Sequence, residues 1–178
     1  DVQIHEDVMV QYCPIEADFS KEFNSVKNSA FYEQLKGWFD LFEHCGLADN
    51  IVIWTYSITS HSYIVPGNNF ASYGEHYKTM ADAGVSYIMD QFYHDSRIPC
   101  FEELRLYTMS KLMYRSDLSY NTLVNDFISQ YYGEAADTIR QYYEFYRSYY
   151  MYLEETKALG GTVPFEYMAA DFWPFEVV

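Results

Sequence analysis

The stretch Asn50-Ile51-Val52-Ile53-Trp54-Thr55-Tyr56 decides the fold. It is short and almost uninterrupted in apolar and β-branched residues. A Ser/Asn/Gly-rich run from Ser57 to about Asn69 follows it. Such a run reads as a β-strand, and continuous rather than alternating apolarity suits a strand covered on both faces, as in parallel sheets. Working outward, Val8 to Tyr12 (VMVQY), closed by Pro14, is a second short β-rich run. Val85 to Met89 (VSYIM) is a third, running on into Asp90-Gln91-Phe92-Tyr93-His94. Between the strands the period changes. Phe31, Leu35, Trp38, Phe39 and Phe42 recur at helical spacing within Asn24 to Cys45, and Gly46 is a natural stop. Phe70 to Ala83 reads as a second helix, ended by Gly84.

Beyond the third strand the chain reads as helical. Phe101 to Tyr114 carries Leu104, Tyr107, Thr108, Lys111 and Leu112 at helix period. Ser119 is placed to cap a helix whose stripe is Tyr120, Leu123, Val124, Phe127, Ile128 and Tyr131, and Gly133 ends it. A last helix spans about Glu134 to Leu159, broken by Gly160-Gly161; its tyrosine stripe reads as packing. Strand alternating with helix predicts an α/β fold with a parallel sheet. Three parallel strands with two open edges rarely make a complete domain. The expectation is therefore a partial (β/α)8 barrel, whose full length is about 250 residues; a complete small α/β domain is the rival. On this reading residues 1–115 are β/α units of a barrel, 116–160 a helical extension, and 161–178 an aromatic tail.

Composition narrows the function. The 178 residues are 49% hydrophobic and 21% charged, enough for a sizeable core. Eleven Lys and Arg against 26 Asp and Glu give a net charge of -15. That balance repels phosphate backbones and anionic membrane surfaces, so neither nucleic acid nor membrane is an expected partner. No apolar run approaches the roughly 20 residues that span a bilayer. The chain starts at Asp1 without an initiator methionine, which reads as a mature protein or an excised piece. Cys13, Cys45 and Cys100 are odd in number and form no C-x-x-C pair, which argues against a disulfide framework or structural zinc. His5, Glu6 and Asp7 read as a solvated cluster rather than a metal site, and no metal is expected. Aromatic residues reach 20%, more rings than one small core absorbs, so some face solvent or ligand.

In parallel α/β folds ligands sit at the carboxyl ends of the strands. Those positions here hold Gln11, Tyr12, Cys13, Glu16 and Asp18; then Trp54, Tyr56, Ser57, His61, Tyr63 and Asn68; then Asp90, Gln91, Tyr93, His94 and Asp95. Rings, amides and carboxylates suit a sugar, whose C–H faces stack on aromatics and whose hydroxyls seek amides. No Gly-rich phosphate loop occurs at a strand–helix junction, so no cofactor is expected. Trp54 is either core or platform, with Tyr56 on the same side. Asp90 and Gln91 point to opposite sides. Asp90 is a candidate catalytic acid, or else a cap or salt-bridge partner. His94-Asp95 reads as a solvated loop before it reads as a base with its orienting acid. Glu102 and Glu103 suit the positive end of a helix.

Several of these segments together resemble a known family. They are Trp54-Thr55-Tyr56, Pro66 to Asn69, Gly84-Val85 to Gln91, Glu103-Leu104-Arg105-Leu106-Tyr107, Lys111 to Tyr114, and Asn125 to Ala136. The chain, over about residues 8 to 150, resembles the C-terminal part of bacterial glycoside-hydrolase-like proteins catalogued as a domain of unknown function. That group is similar to α-glucuronidase and β-hexosaminidase barrels. Tyr131-Tyr132-Gly133-Glu134-Ala135-Ala136 is the most specific element. The resemblance implies a barrel acting on or binding glycans, in secreted or cell-surface proteins of bacteria. It matches Trp54, Tyr56 and Gln91, and it implies that the catalytic acids lie on an earlier strand. Tyr63 to Asn69 departs from the pattern, with Pro66 and no Trp. The expected role is a carbohydrate-binding wall of Trp54, Tyr56, His61 and Gln91, completed by the N-terminal part of the same barrel, with the isolated chain inactive. The alternatives are a non-catalytic carbohydrate-binding or scaffold domain, and a helical protein-interaction module.

Overall fold

The computed structural model describes residues 4–56, 68–91, 101–157 and 172–173. Among them are three strands and five α-helices. In chain order these are β1 (Val10–Tyr12), α1 (Ser29–His44), β2 (Ile51–Tyr56), α2 (Tyr73–Asp82), β3 (Tyr87–Gln91), α3 (Glu102–Tyr114), α4 (Tyr120–Tyr132) and α5 (Ala136–Lys157). The strands form one parallel sheet in the order β1-β2-β3, so β2 is central and the described residues leave β1 and β3 at the edges. The fold is α/β, as the alternation of periods implies.

Element ends depart from the sequence reading where a side chain takes over a backbone partner. β1 is shorter than Val8 to Tyr12, because the Asn50 amide donates to the carbonyls of Glu6 (2.7 Å) and Val8 (3.1 Å), where strand pairing would otherwise run. α1 starts at Ser29 rather than near Asn24. Asn28 is buried, and its amide donates to the carbonyls of Asp18 and Glu22, each at 3.0 Å, which holds the preceding residues in turns and one 3-10 turn. Gly46 and Gly84 end α1 and α2 at φ of +71° and +79°, conformations that a Cβ disfavours.

The two faces of the sheet differ. Ile51, Ile53 and Thr55 are buried under helices. On that face Tyr12 stacks on Phe31 of α1, and Tyr77 of α2 reaches Asp90 of β3. The alternate residues Val52, Trp54 and Tyr56 are half-buried, and their neighbours Tyr87 and Met89 are 63% and 47% exposed. Parallel strands are normally covered on both sides. The continuous apolarity of β2 thus corresponds to one covered face and one half-open face.

The core continues from this sheet into the helical part. Leu104, Met109 and Leu112 of α3, Leu123, Val124 and Ile128 of α4, and Tyr143, Tyr146, Tyr150 and Leu153 of α5 are buried. The α5 spacing of three and four residues is one helical stripe. Tyr120 and Tyr143 share a hydroxyl–hydroxyl hydrogen bond at 3.2 Å, which satisfies two buried polar tips. Burial keeps the hydroxyl of Tyr120 protonated far above its ordinary range. Trp173 lies flat against Tyr146 and close to Tyr149 and Tyr150, and the Tyr149 hydroxyl donates to the Phe172 carbonyl. The tail residues 172–173 therefore dock on α5.

Candidate functional site

Strand alternation and register sort the strand-end residues into two groups. Val52 lies beside Tyr87, Trp54 beside Met89, and Tyr56 beside Gln91, all on the half-open face. Thr55 lies beside Asp90 on the helix-covered face. The structure thus brings Trp54, Tyr56 and Gln91 together and sends Asp90 the other way. The Thr55 hydroxyl donates to Asp90 Oδ2 at 2.6 Å, and the Tyr77 hydroxyl at 3.4 Å. Burial holds the Tyr77 hydroxyl well above its usual range, reinforced by the Asp90 carboxylate. Asp90 here ties β3 to β2 and α2.

On the half-open face the Trp54 indole donates Nε1–H to Gln91 Oε1 at 3.2 Å. The bond crosses from β2 to the last residue of β3 and fixes both side chains. It uses the Gln91 carbonyl, so the two N–H donors of the amide are what Gln91 presents outward. Tyr56 continues the face at the carboxyl end of β2. Its ring meets Phe19 edge to face, with centroids 6.0 Å apart. Burial, and then the Cys13 thiol beside it, raise the hydroxyl pKa above its ordinary value. Cys13 is an exposed, free thiol that accepts from Gln11 Nε2 at 3.6 Å. Two rings and an amide are thus set on adjacent strands. The ring faces suit C–H contacts, and the amide N–H groups suit hydroxyl or carbonyl acceptors.

The support behind Tyr56 is the segment between β1 and α1. Phe19 and Phe23 are buried, and His76 of α2 stacks flat on Phe23 at 4.0 Å. His76 Nε2 lies 2.7 Å from the Lys21 carbonyl, which only accepts, so the ring carries its proton on Nε2. Burial depresses the His76 pKa to about 4, against the opposing pull of the Lys21 carbonyl and Asp18, so the imidazole is neutral. From α5, Glu154 pairs with Lys21 and accepts from Ser20 (3.3 Å) and Asn68 (3.2 Å). One carboxylate therefore joins the segments after β1 and before α2 to the last helix. Sequence reasoning missed Phe19, His76 and Glu154. The only signal for Glu154 is an acid in Tyr152-Leu153-Glu154-Glu155, which reads as a solvated helix face.

The other candidates fall elsewhere. Glu16 is exposed, and Asp18 is turned into its own segment, where it accepts from the Ser20 hydroxyl at 2.6 Å. His61, Tyr63, Tyr93, His94, Asp95 and Cys100 lie outside the described residues. His5 and Asp7 form an exposed pair at 3.5 Å, and the described residues hold no cluster of three metal-ligating side chains. A recess of about 320 Å³ lies between the end of β1 and α1, lined by Tyr12, Cys13, Glu16, Phe31 and Gln34. Another, of about 300 Å³, lies at the opposite end of the sheet, between Val85, Tyr87 and Leu112. No helix of the described residues is long and apolar enough to cross a membrane.

Comparison with known proteins gives one assignment. Neither a curated protein nor a solved structure matches the chain. A family described as a domain of unknown function, DUF4838, matches residues 1–144, which take in the whole sheet, α1 to α4 and the first turns of α5. With the match covering the sheet and the half-open face built on it, the chain belongs to the DUF4838 family.

Proposed function

We propose that the chain is the C-terminal portion of a glycoside-hydrolase-like barrel and that it supplies an aromatic wall for carbohydrate. The observation that carries this reading is the Trp54–Gln91 pair. A ring and an amide are locked to each other at the carboxyl end of a parallel sheet, on its half-open face, with Tyr56 alongside. On the same face, Val52 and Tyr87 below Trp54, and Met89 beside it, add side chains of the kind that fill a barrel interior. Their exposure, and the two sheet edges, support further strands as the partner that completes the barrel. His61 belongs to the proposed wall by sequence. Asp90 faces the helices, so a pair of catalytic carboxyl groups at the separation of about 5–9.5 Å that glycosidases use has to be completed from elsewhere in the barrel. A bacterial cell-surface or secreted setting fits this role.

The test is a titration of the chain with neutral oligosaccharides, followed by isothermal calorimetry. Binding that Trp54→Ala abolishes, with the helical circular dichroism retained, supports the reading. Unchanged binding by Trp54→Ala removes the platform role. A second reading has its own observation. Tyr142, Phe145, Met151 and Tyr152 of α5 are exposed, an aromatic-rich surface that suits a protein partner. Binding of a partner protein lost in Phe145→Ser, with no saccharide bound by the native chain, favours that reading.

A further inference from the structure

We infer that the face formed by Trp54, Tyr56 and Gln91 takes an uncharged saccharide and discriminates against uronates and sulfated sugars. The inference rests on the carbohydrate reading above and adds the substrate class. Among the described residues the face carries no formal charge: register and alternation place Gln11, Val52, Trp54, Tyr56, Tyr87, Met89 and Gln91 on it. Its polar groups are all neutral: the amides of Gln11 and Gln91, the hydroxyls of Tyr56 and Tyr87, and the Trp54 indole N–H, which Gln91 accepts. A carboxylate desolvated against aromatic rings needs a cation, and with neutral donors alone the transfer is unfavourable.

The cations of the described residues are spent elsewhere. Lys21 is paired with Glu154. Arg105 is buried in α3, where it donates to Asn69 Oδ1 at 2.6 Å and to the Tyr73 hydroxyl at 2.8 Å. The others lie on helices or at their ends. The residues that follow β2, 57–67, contain no Lys or Arg, and those that follow β3, 92–100, contain Arg97 alone. The net charge of -15 adds a field that disfavours an approaching anion at low salt. A neutral pyranose meets none of these penalties. Its C–H faces lie against the rings, and its hydroxyls accept from the Gln91 amide.

The experiment titrates the 178-residue chain with xylohexaose, cellohexaose and mannohexaose, and with hexagalacturonate, at low and at physiological ionic strength. The expected result is that at least one neutral hexasaccharide binds about tenfold or more tighter than hexagalacturonate. Its affinity should be insensitive to salt and unchanged in Arg97→Ala. Equal or tighter binding of hexagalacturonate, weakened by salt and lost in Arg97→Ala, overturns the inference while the carbohydrate reading stands. Equal or tighter hexagalacturonate binding that survives Arg97→Ala overturns it as well. Binding by no member of either class overturns the carbohydrate reading, and this inference with it.

Discussion

At the scale of single residues, neighbours along the chain have divergent tasks. Asp90 and Gln91 are adjacent in sequence, yet strand alternation sends one under the helices and the other to the half-open face. Asp90→Ala leaves the buried Thr55 hydroxyl with only the Met89 carbonyl at 3.5 Å and removes the Tyr77 contact. We expect a loss of about 1–3 kcal/mol in urea unfolding, because a buried polar group loses its main partner. Saccharide affinity of the folded protein should be unchanged; a loss of affinity with stability intact would give Asp90 a ligand role instead. His76 makes a second prediction. Its pKa lies near 4 in the folded chain, against an ordinary value of 6.5. Above pH 6.5 the imidazole is neutral in folded and unfolded chain alike, and its contribution to stability is fully present. As pH falls, the unfolded chain takes up the proton first. Stability is lost between about pH 6.5 and 4, on the order of 3 kcal/mol in all. The difference in unfolding free energy between native protein and His76→Asn should shrink across that interval, and parallel curves would contradict the assignment.

At the scale of elements, stops and caps were readable because they depend on one residue and local sterics. Gly46, Gly84 and Gly133 end their helices where their lack of a Cβ allows positive φ. Ser119 accepts from the Thr122 amide at 3.3 Å, the bond an N-cap serine makes. Ser119→Ala should cost about 1 kcal/mol, within the 0.5–2 kcal/mol that such caps contribute, and Ser119→Asp should restore it. A denaturant midpoint unchanged in Ser119→Ala would show that α4 is held by packing alone. The starts of β1 and α1 were not readable, because Asn50 and Asn28 act on backbone groups 6 to 44 residues away. The candidate site was readable in part for the same reason. A period of two puts Trp54 with Tyr56, but nothing local joins Trp54 to Gln91, 37 residues on. The Phe19 ring behind Tyr56 and the Glu154 bracket are likewise products of the tertiary fold.

At the scale of the whole molecule, the asymmetric sheet is the central feature. One face is covered by helices, and the other keeps Tyr87 and Met89 exposed beside Trp54, Tyr56 and Gln91. On the proposed reading this face stacks sugar without cleaving it, since glycoside cleavage divides acid and base work between two carboxyl groups. The 178-residue chain should therefore show negligible turnover of a panel of aryl glycosides. Robust turnover abolished by Asp90→Asn would place the catalytic pair within this chain and overturn the account of the wall. The most direct measurement of the central claim is the indole region of a ¹⁵N–¹H correlation spectrum during titration with a neutral oligosaccharide. The chain has three Trp, so three indole N–H signals report on three places: Trp38 on α1, Trp173 docked on α5, and Trp54 hydrogen-bonded to Gln91. The account predicts a saturable shift of the Trp54 signal, with those of Trp38 and Trp173 unmoved. A Trp54 signal that stays fixed across the oligosaccharide panel, or a shift confined to Trp38 or Trp173, would contradict it.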